Sequence, residues 1–290
     1  MTRQLVAVFG LLAAAVAQTT PVAAKQNPSP MVDNIRAHKR VAKIERRGSR
    51  MPLSLGTLFI PDQARNRSKI PLIIHFHGAT WLAEQSATQF DPRAAVLTVN
   101  LGAGSGMYSQ AFADPMRFRT LLTEASGAVS PPGTMRFDAV VLTGFSAGYG
   151  AIREILKNRD NWQRIYGVVL ADGFHTGYVP EGSLGPLDPE PLQPFVEFAR
   201  EAMAGQKRMV ITHSEIFPGT FASTTECTDY LISTLGLRRR PVLNWGPGGM
   251  QQLSTVRSGH LQILGFAGNS APDHIDQLDG LGHWLRLLKR

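Results

Sequence analysis

The feature that most constrains this chain is the pentapeptide Gly144-Phe145-Ser146-Ala147-Gly148, which stands between an apolar run and a helical pattern. Residues 137–143 are mostly apolar and predict a buried strand, whereas residues 151–158 have helical periodicity. Glycines two residues either side of the serine suit a tight strand-to-helix turn, where side chains would not fit. Such a turn exposes a serine hydroxyl in strained geometry. A glycine-rich turn with a serine that merely caps the helix is the alternative.

The strand-turn-helix context favours Ser146 as a nucleophile for acyl chemistry. The backbone N–H of Ala147 would then open the helix at its positive end, where it can stabilise an oxyanion formed at Ser146. A serine hydroxyl is a weak nucleophile unless a neutral imidazole takes its proton. The sequence must therefore also supply a histidine.

The first 24 residues are typical of a secretion signal. Arg3 is followed by an apolar run over residues 5–17, and small residues precede possible cleavage sites after Ala17 and Ala24. The run is too short to cross a bilayer, so we expect no integral membrane segment after signal removal and a secreted or periplasmic protein. A buried N-terminal helix is the alternative. The predicted organisation is a signal peptide (1–24), a basic segment (25–51) and one domain (52–290).

The chain has a formal charge of +8, and much of the excess lies in residues 36–50. A nucleic-acid-binding arm is one interpretation of this run. Because it lacks interleaved aromatic residues and follows an export signal, we expect instead a solvated segment and no nucleic-acid partner. The single cysteine, Cys227, excludes an intramolecular disulfide.

Apolar runs and helical patterns alternate through the rest of the chain, with residues 61–68 as a predicted hairpin connection. Strands are predicted at 53–60, 70–76, 94–100, 137–143, 165–171, 208–212 and 260–266, and helices at 114–125, 151–158, 194–203, 223–235 and 272–288. This order predicts an α/β fold: a doubly wound, mostly parallel sheet with helices on both faces. In such sheets the functional groups gather at the carboxyl ends of the strands.

Three matches at that edge resemble the α/β-hydrolase superfamily, over the chain from about residue 52 to the C-terminus. His77-Gly78 after an early strand is similar to the family's oxyanion loop, residues 144–148 to its nucleophile elbow, and His274 stands between the last strand and the last helix. The order of nucleophile, acid and histidine also agrees. The resemblance implies the α/β-hydrolase fold and a serine hydrolase.

The resemblance also implies roles for these residues. His274 would be the general base for Ser146, with a carboxylate on its far ring nitrogen. The family's usual acid follows the penultimate strand, but the corresponding residues 210–217 contain no aspartate. Asp172, one strand earlier, is the better placed carboxylate; Glu215 is the alternative acid. A turn or strand-end cap at Asp172 also remains open.

The second oxyanion donor is expected after His77, from the backbone of Gly78 or Ala79, or of Thr80. Trp81 would then form a wall of the substrate site, or pack against the core. His75 and His77 alternate on a strand as a metal pair would, but no third ligand accompanies them in a recognisable pattern. We expect no metal and no other cofactor. The long loop at residues 176–193 is either a lid or a floppy connection.

These observations predict an exported serine hydrolase of the carboxylic ester hydrolase type, with a small-molecule ester or acyl substrate. A non-catalytic binding protein of the same fold is an alternative, and an acyltransferase or peptidase would use the same triad. A dinucleotide-binding oxidoreductase would need the turn at residues 102–107. That turn departs from G-x-G-x-x-G at Met107, and no helix is predicted there.

Overall fold

The computed structural model of the protein describes residues 37–129 and 135–289. Within them a single sheet has ten strands: β1 (Gly48–Pro52), β2 (Thr57–Pro61), β3 (Lys69–Phe76), β4 (Ala95–Val99), β5 (Arg136–Phe145), β6 (Ile165–Ala171), β7 (Arg208–His213), β8 (Arg240–Trp245), β9 (Gln251–Ser258) and β10 (Leu261–Phe266). The helices are α1 (Thr80–Ser86), α2 (Ser105–Ala111), α3 (Arg117–Gly127), α4 (Tyr149–Lys157), α5 (Gln193–Met203), α6 (Thr224–Thr234), α7 (Ala271–Asp279) and α8 (Leu281–Leu287).

The strands lie in the order β1-β2-β4-β3-β5-β6-β7-β10-β9-β8. From β4 to β10 in this order all neighbours run parallel, whereas β1, β2, β8 and β9 pair antiparallel at the two edges. The sheet is therefore mixed, and the predicted parallel arrangement applies to its centre. The carboxyl ends of the central strands share one rim.

Central strands are apolar at successive positions because both faces of the sheet are covered. In β3, Leu72 and Ile74 face a core shared with α2 to α6, and Ile73 faces a second core with α1 and α8. Helices thus lie on both faces, as predicted. Helix α6 begins with the predicted capping box, in which Ser223 and Glu226 satisfy each other's backbone N–H groups.

Several predicted elements differ from the structure. Strand β2 pairs with β1 and β4 but not with β3, so the predicted hairpin at residues 61–68 is wrong. Helix α2 occurs where no helix was predicted. The single predicted helix at residues 272–288 is two helices joined at Gly280, where a side chain would meet the Trp284 indole at 2.6 Å.

Most described residues before the sheet are exposed, as expected of a solvated segment, but some of the basic side chains also contact the domain. We call residues 38–47 the N-terminal arm. Arg40 contacts Asp276 at 2.7 Å and Asp279 at 3.2 Å, and His38 contacts Asp276 at 2.8 Å. The carboxylates of α7 attract this positive charge. The sheet itself begins at Gly48, inside the predicted basic segment.

Among the described residues, no helix combines the length and the apolar character needed to cross a membrane. The predicted signal peptide at residues 1–24 lies outside the described part of the chain.

Candidate active site

The rim formed by the carboxyl ends of the central strands carries an unusual amount of backbone strain. Among the described residues, four that are not glycine have positive φ, and three lie directly after a central strand: His77 (67°), Ser146 (47°) and Asp172 (46°). Left-handed backbone is uncommon for such residues and concentrates at functional sites. The strain marks this rim as a candidate functional site.

Ser146 occupies the sharp turn between β5 and α4. A side chain at Gly148 would place its Cβ 2.1 Å from the backbone oxygen of Phe76, and one at Gly144 would lie 3.0 Å from Ile152. A side chain at Gly173 would also come within 2.3 Å of the Ser146 carbonyl oxygen. The turn after β6 therefore packs directly against the turn that carries the serine, and both need glycine.

His274 and Asp172 are joined by a hydrogen bond, with His274 Nδ1 2.7 Å from Asp172 Oδ2. The Asp172 side chain is 2% exposed and that of His274 is 25% exposed. The imidazole comes from α7, close to its capped start, so it faces the end of β6 and not the outer helix surface. A bond from Nδ1 to a carboxylate fixes the ring and leaves Nε2 for a substrate or nucleophile.

Asp172 is held by three further donors. Ser214 donates from its backbone N–H at 2.8 Å and from its hydroxyl at 2.7 Å, and the Thr224 hydroxyl donates at 2.9 Å. Burial alone would raise the pKa of the Asp172 carboxyl, but the hydrogen bonds from His274 and Ser214 outweigh it and lower the pKa to about 2. The buried carboxylate is thus ionised and fully hydrogen-bonded. Neither Ser214 nor Thr224 was predicted from the sequence to take part in the site.

Glu215 lies elsewhere on the rim. Its side chain accepts a hydrogen bond from the Gly268 N–H at 3.3 Å, and its own N–H donates to the Gly268 carbonyl at 2.8 Å. The residue is exposed and ties β7 to the loop after β10. The structure therefore brings Asp172 to His274 and brings Glu215 to Gly268.

The Phe145 ring separates two imidazoles. Its centroid lies 4.4 Å from that of His274 and 5.9 Å from that of His77, with His77 stacked at 10°. His77 Nδ1 also contacts the Tyr108 hydroxyl at 3.0 Å. Burial and the nearby His274 lower the pKa of His77, so His77 is neutral and helps to pack the site.

The candidate oxyanion donors differ in what they contact. The Gly78 N–H donates to Asn100 Oδ1 at 2.9 Å, so it is not available to an oxyanion in this arrangement. Ala79 is the residue before α1, and Ala147 lies in the turn directly after Ser146. Ala79 and Ala147 therefore have positions compatible with an oxyanion site between the ends of β3 and β5.

Trp81 is not among the residues that line the cleft containing Ser146, so its tentative assignment as a substrate wall stays a prediction. Trp81 is the second residue of α1, and it packs against the hydrophobic core that includes residues of α8. It also borders a separate cleft with Lys43 and Arg50. Its alternative role as a packing residue agrees with the structure.

The Ser146 cleft has a volume of about 410 Å³. Besides Ser146 and Ala147 its walls include Ser105, Tyr149, Arg153, His175, Thr176 and Phe221. His175 is fixed by a contact from Nδ1 to the Ala222 carbonyl at 2.9 Å, and burial lowers its pKa. A cleft of this size holds a small molecule, and it opens at the proposed nucleophile.

The loop at residues 176–193 forms one wall of this cleft. It folds back on itself, with hydrogen bonds from Val179 N–H to Pro186 O and from Asp188 N–H to Gly177 O, both at 2.8 Å. The loop is therefore tied together by its own backbone. A larger cleft of about 600 Å³ lies beside β1 and β2, and its described lining residues include no histidine, aspartate or glutamate.

One group of three possible metal ligands exists among the described residues: His38, Asp273 and Asp276. The guanidinium of Arg40 already binds Asp276 at 2.7 Å, so a cation there would meet a fixed positive charge. His75 Nδ1 contacts the Thr143 hydroxyl at 2.8 Å, whereas His77 Nδ1 turns to Tyr108. We assign no metal to either group.

No protein-family model and no curated protein sequence matches this chain. The solved structures that are similar to it include two hydrolases. A dienelactone hydrolase-like promiscuous phosphotriesterase from metagenomic libraries has 15% identity over 73% of this chain and 75% of its own, with a TM-score of 0.38. A haloalkane dehalogenase loop variant from Bradyrhizobium elkanii has 12% identity over 84% of this chain and 98% of its own, with a TM-score of 0.40.

The serine turn and the chain order of Ser146, Asp172 and His274 agree with the resemblance to the α/β-hydrolase superfamily.

Proposed function

We propose that this protein is a serine hydrolase that cleaves an ester or a related acyl bond of a small molecule. The observation that supports this most directly is the hydrogen bond of 2.7 Å between His274 Nδ1 and the buried Asp172 carboxylate, beside a serine on a strained strand-to-helix turn. Such an arrangement has the parts of a nucleophile, base and acid triad.

In this mechanism the Ser146 hydroxyl attacks the substrate carbonyl while His274 Nε2 accepts its proton. The Asp172 carboxylate stabilises the imidazolium that forms and keeps the proton on Nδ1. The N–H groups of Ala147 and Ala79 stabilise the oxyanion. His274 then protonates the leaving group, and water, deprotonated by the same imidazole, releases the acid from Ser146.

A fluorophosphonate probe tests the proposal because it labels only an activated serine. We expect labelling of the wild type and turnover of a p-nitrophenyl ester, both lost in Ser146→Ala. Ser126→Ala is a matched control, because that hydroxyl bonds the Leu122 carbonyl within α3, away from the cleft. Full turnover by Ser146→Ala would refute the proposal. A wild type that binds acyl compounds but is never labelled would identify a non-catalytic binding protein.

The same probe tests the general base. We expect His274→Ala to cost about as much activity as Ser146→Ala, since members of a triad act as a unit. His260→Ala is the control, because that residue precedes β10 at the opposite end of the strand. If His260→Ala were folded but inactive while His274→Ala stayed active, the general base would be His260.

We also propose that the protein is exported, on the basis of the first 24 residues. The mature chain would begin near Gln18 or Lys25. Intact-mass measurement of protein recovered from the periplasm or the medium tests this, and an uncleaved Met1 there would refute it.

A further inference from the structure

We propose that the Ser146 cleft selects acyl substrates that carry an anionic group, and that Arg153 holds that group. The inference rests on the proposed hydrolase function and adds a substrate class to it. The first supporting observation is the charge of the residues that line the cleft. Arg153 is the only Lys, Arg, Asp or Glu among the described residues that line this cleft. The other titratable groups of the lining are the buried imidazole of His175 and the phenol of Tyr149.

Arg153 lies on the same helical path as the nucleophile. Residues 149 and 153 are one turn apart in α4 and share a face, and Ser146 stands at the start of the same path. At about 1.5 Å of rise per residue, the serine and the arginine are about 10 Å apart along the helix. A substrate with its carbonyl at Ser146 can therefore reach Arg153 only through its acyl or alcohol chain, a few methylenes beyond the reacting bond.

Hydrogen bonds fix the position of the Arg153 guanidinium but leave some of its N–H donors available. Its Nη2 donates to the Ser109 hydroxyl at 2.9 Å, and its Nε contacts Glu154 at 3.2 Å. Its Nη1 has no hydrogen-bond partner among residues 37–129 and 135–289. The side chain is only 19% exposed, and Arg153 lines the cleft. A planar fork held in this way suits a carboxylate, which it can bind through two hydrogen bonds.

Glu154 does not cancel this charge at the site. It also pairs with Lys157 at 2.7 Å, so the group of Arg153, Glu154 and Lys157 retains one positive charge. Tyr149 completes the wall, with its ring 5.8 Å from the guanidinium carbon. The cleft thus offers an aromatic surface beside Ser146 and a partly enclosed cation at its far end.

Two p-nitrophenyl esters with the same leaving group test the inference: the neutral butyrate ester and the mono-ester of glutarate, whose second carboxylate is free. We expect the wild type to have a kcat/KM for the glutarate ester about 10- to 100-fold above that for butyrate, the range for a hydrogen-bonded charge pair. Arg153→Gln should bring this ratio close to one, mainly through KM. Arg153→Lys should retain part of it, because it keeps the charge but loses the fork.

Arg159→Gln is the matched control for net charge. That side chain is 60% exposed and pairs with Glu197 outside the cleft, so the variant should keep the wild-type ratio. A second readout does not need ester turnover. Free glutarate should slow fluorophosphonate labelling of Ser146 in the wild type and much less in Arg153→Gln, and a thermal melt confirms that each variant is folded.

The outcomes separate the two proposals. Turnover of both esters at equal kcat/KM by the wild type would reject the anionic substrate and leave the hydrolase standing. An unchanged ratio in Arg153→Gln would reject Arg153 as the anchor. A wild type that hydrolyses neither ester and is not labelled would overturn the proposed function and this inference together.

Discussion

Ser214 donates two hydrogen bonds to Asp172, one from its backbone N–H at 2.8 Å and one from its hydroxyl at 2.7 Å. Ser214 directly follows β7, the strand after which the resemblance led us to look for an acid. The residue that follows β7 therefore supports a carboxylate supplied by β6. Because the two strands are parallel neighbours, their ends are close enough for this arrangement.

We expect Asp172→Asn to leave the protein folded and to lower kcat by about 10⁴-fold. An amide in place of the carboxylate permits the wrong imidazole tautomer and cannot stabilise the imidazolium. Glu215→Gln should have a much smaller effect, since Glu215 contacts the Gly268 backbone. Steady-state kinetics with circular dichroism checks both variants. The reverse order of effects would assign the acid to the end of β7.

We expect Ser214→Ala to lower kcat by about 10-fold with little change in KM, because a hydrogen bond to a charged group contributes about 1.5–3 kcal/mol and one donor here is the backbone. Thr224→Val removes another donor and should have a similar effect. Ser233→Ala is the control, since that serine is exposed on the same helix, α6. A full-rate Ser214→Ala would show that the hydroxyl does not position Asp172.

Gly148→Ala should destabilise the protein by about 1–3 kcal/mol and reduce activity, as overpacked positions do. The added Cβ would lie 2.1 Å from the Phe76 carbonyl oxygen, which forces α4 away from β3. Gly127→Ala in α3 is the matched control, because no atom lies within 4 Å of its added Cβ. Urea unfolding measures both. Equal stability of the two variants would contradict the close approach at the serine turn.

Acid should destabilise the protein before its carboxylates are protonated. Burial, with a smaller effect of His77, lowers the pKa of His75 to about 4; burial and the nearby Arg239 lower that of His213 to about 4. Between about pH 6.5 and 4 the unfolded chain therefore binds protons that the folded chain excludes. Each histidine should reduce the free energy of unfolding by about 1.4 kcal/mol for each unit by which the pH falls.

Urea unfolding at several pH values across this window measures the slope. His75→Gln should reduce this slope by the contribution of one bound proton, about 1.4 kcal/mol for each pH unit. A variant with the wild-type slope would show that His75 titrates normally in the folded protein. The contribution of Asp172 belongs to a lower window: its stabilisation is present above about pH 4 and is lost as the pH falls towards 2.

The centre of the sheet could be predicted from the sequence, and its edges could not. Strand β6 coincides with its predicted range because a strand covered on both faces is an uninterrupted apolar run. Strands β1, β8 and β9 are partly exposed, so polar residues interrupt their patterns. Pairing order was equally inaccessible, since it depends on which distant strands meet and not on local periodicity.

For the candidate site, the order of strand ends indicated which side chains share a rim, and the structure brings Asp172 to His274 there. The supporting hydroxyls of Ser214 and Thr224 gave no comparable pattern, because a serine or threonine after a strand is ordinary loop composition. Arg153 looked like a surface residue of an amphipathic helix. Only the packing of α4 beside α2 shows that it borders the cleft.

The contact of the N-terminal arm with α7 determines where this domain can be shortened. Arg40 and His38 bind Asp276, one half-turn beyond His274 on the same helix. A chain that started at Gly48 would keep every strand of the sheet, yet two acidic side chains on the helix that presents the imidazole would lose their counter-charge. The smallest fully active fragment should therefore begin upstream of the first strand, and proteolytic removal of the arm would loosen His274 before it disturbed the fold.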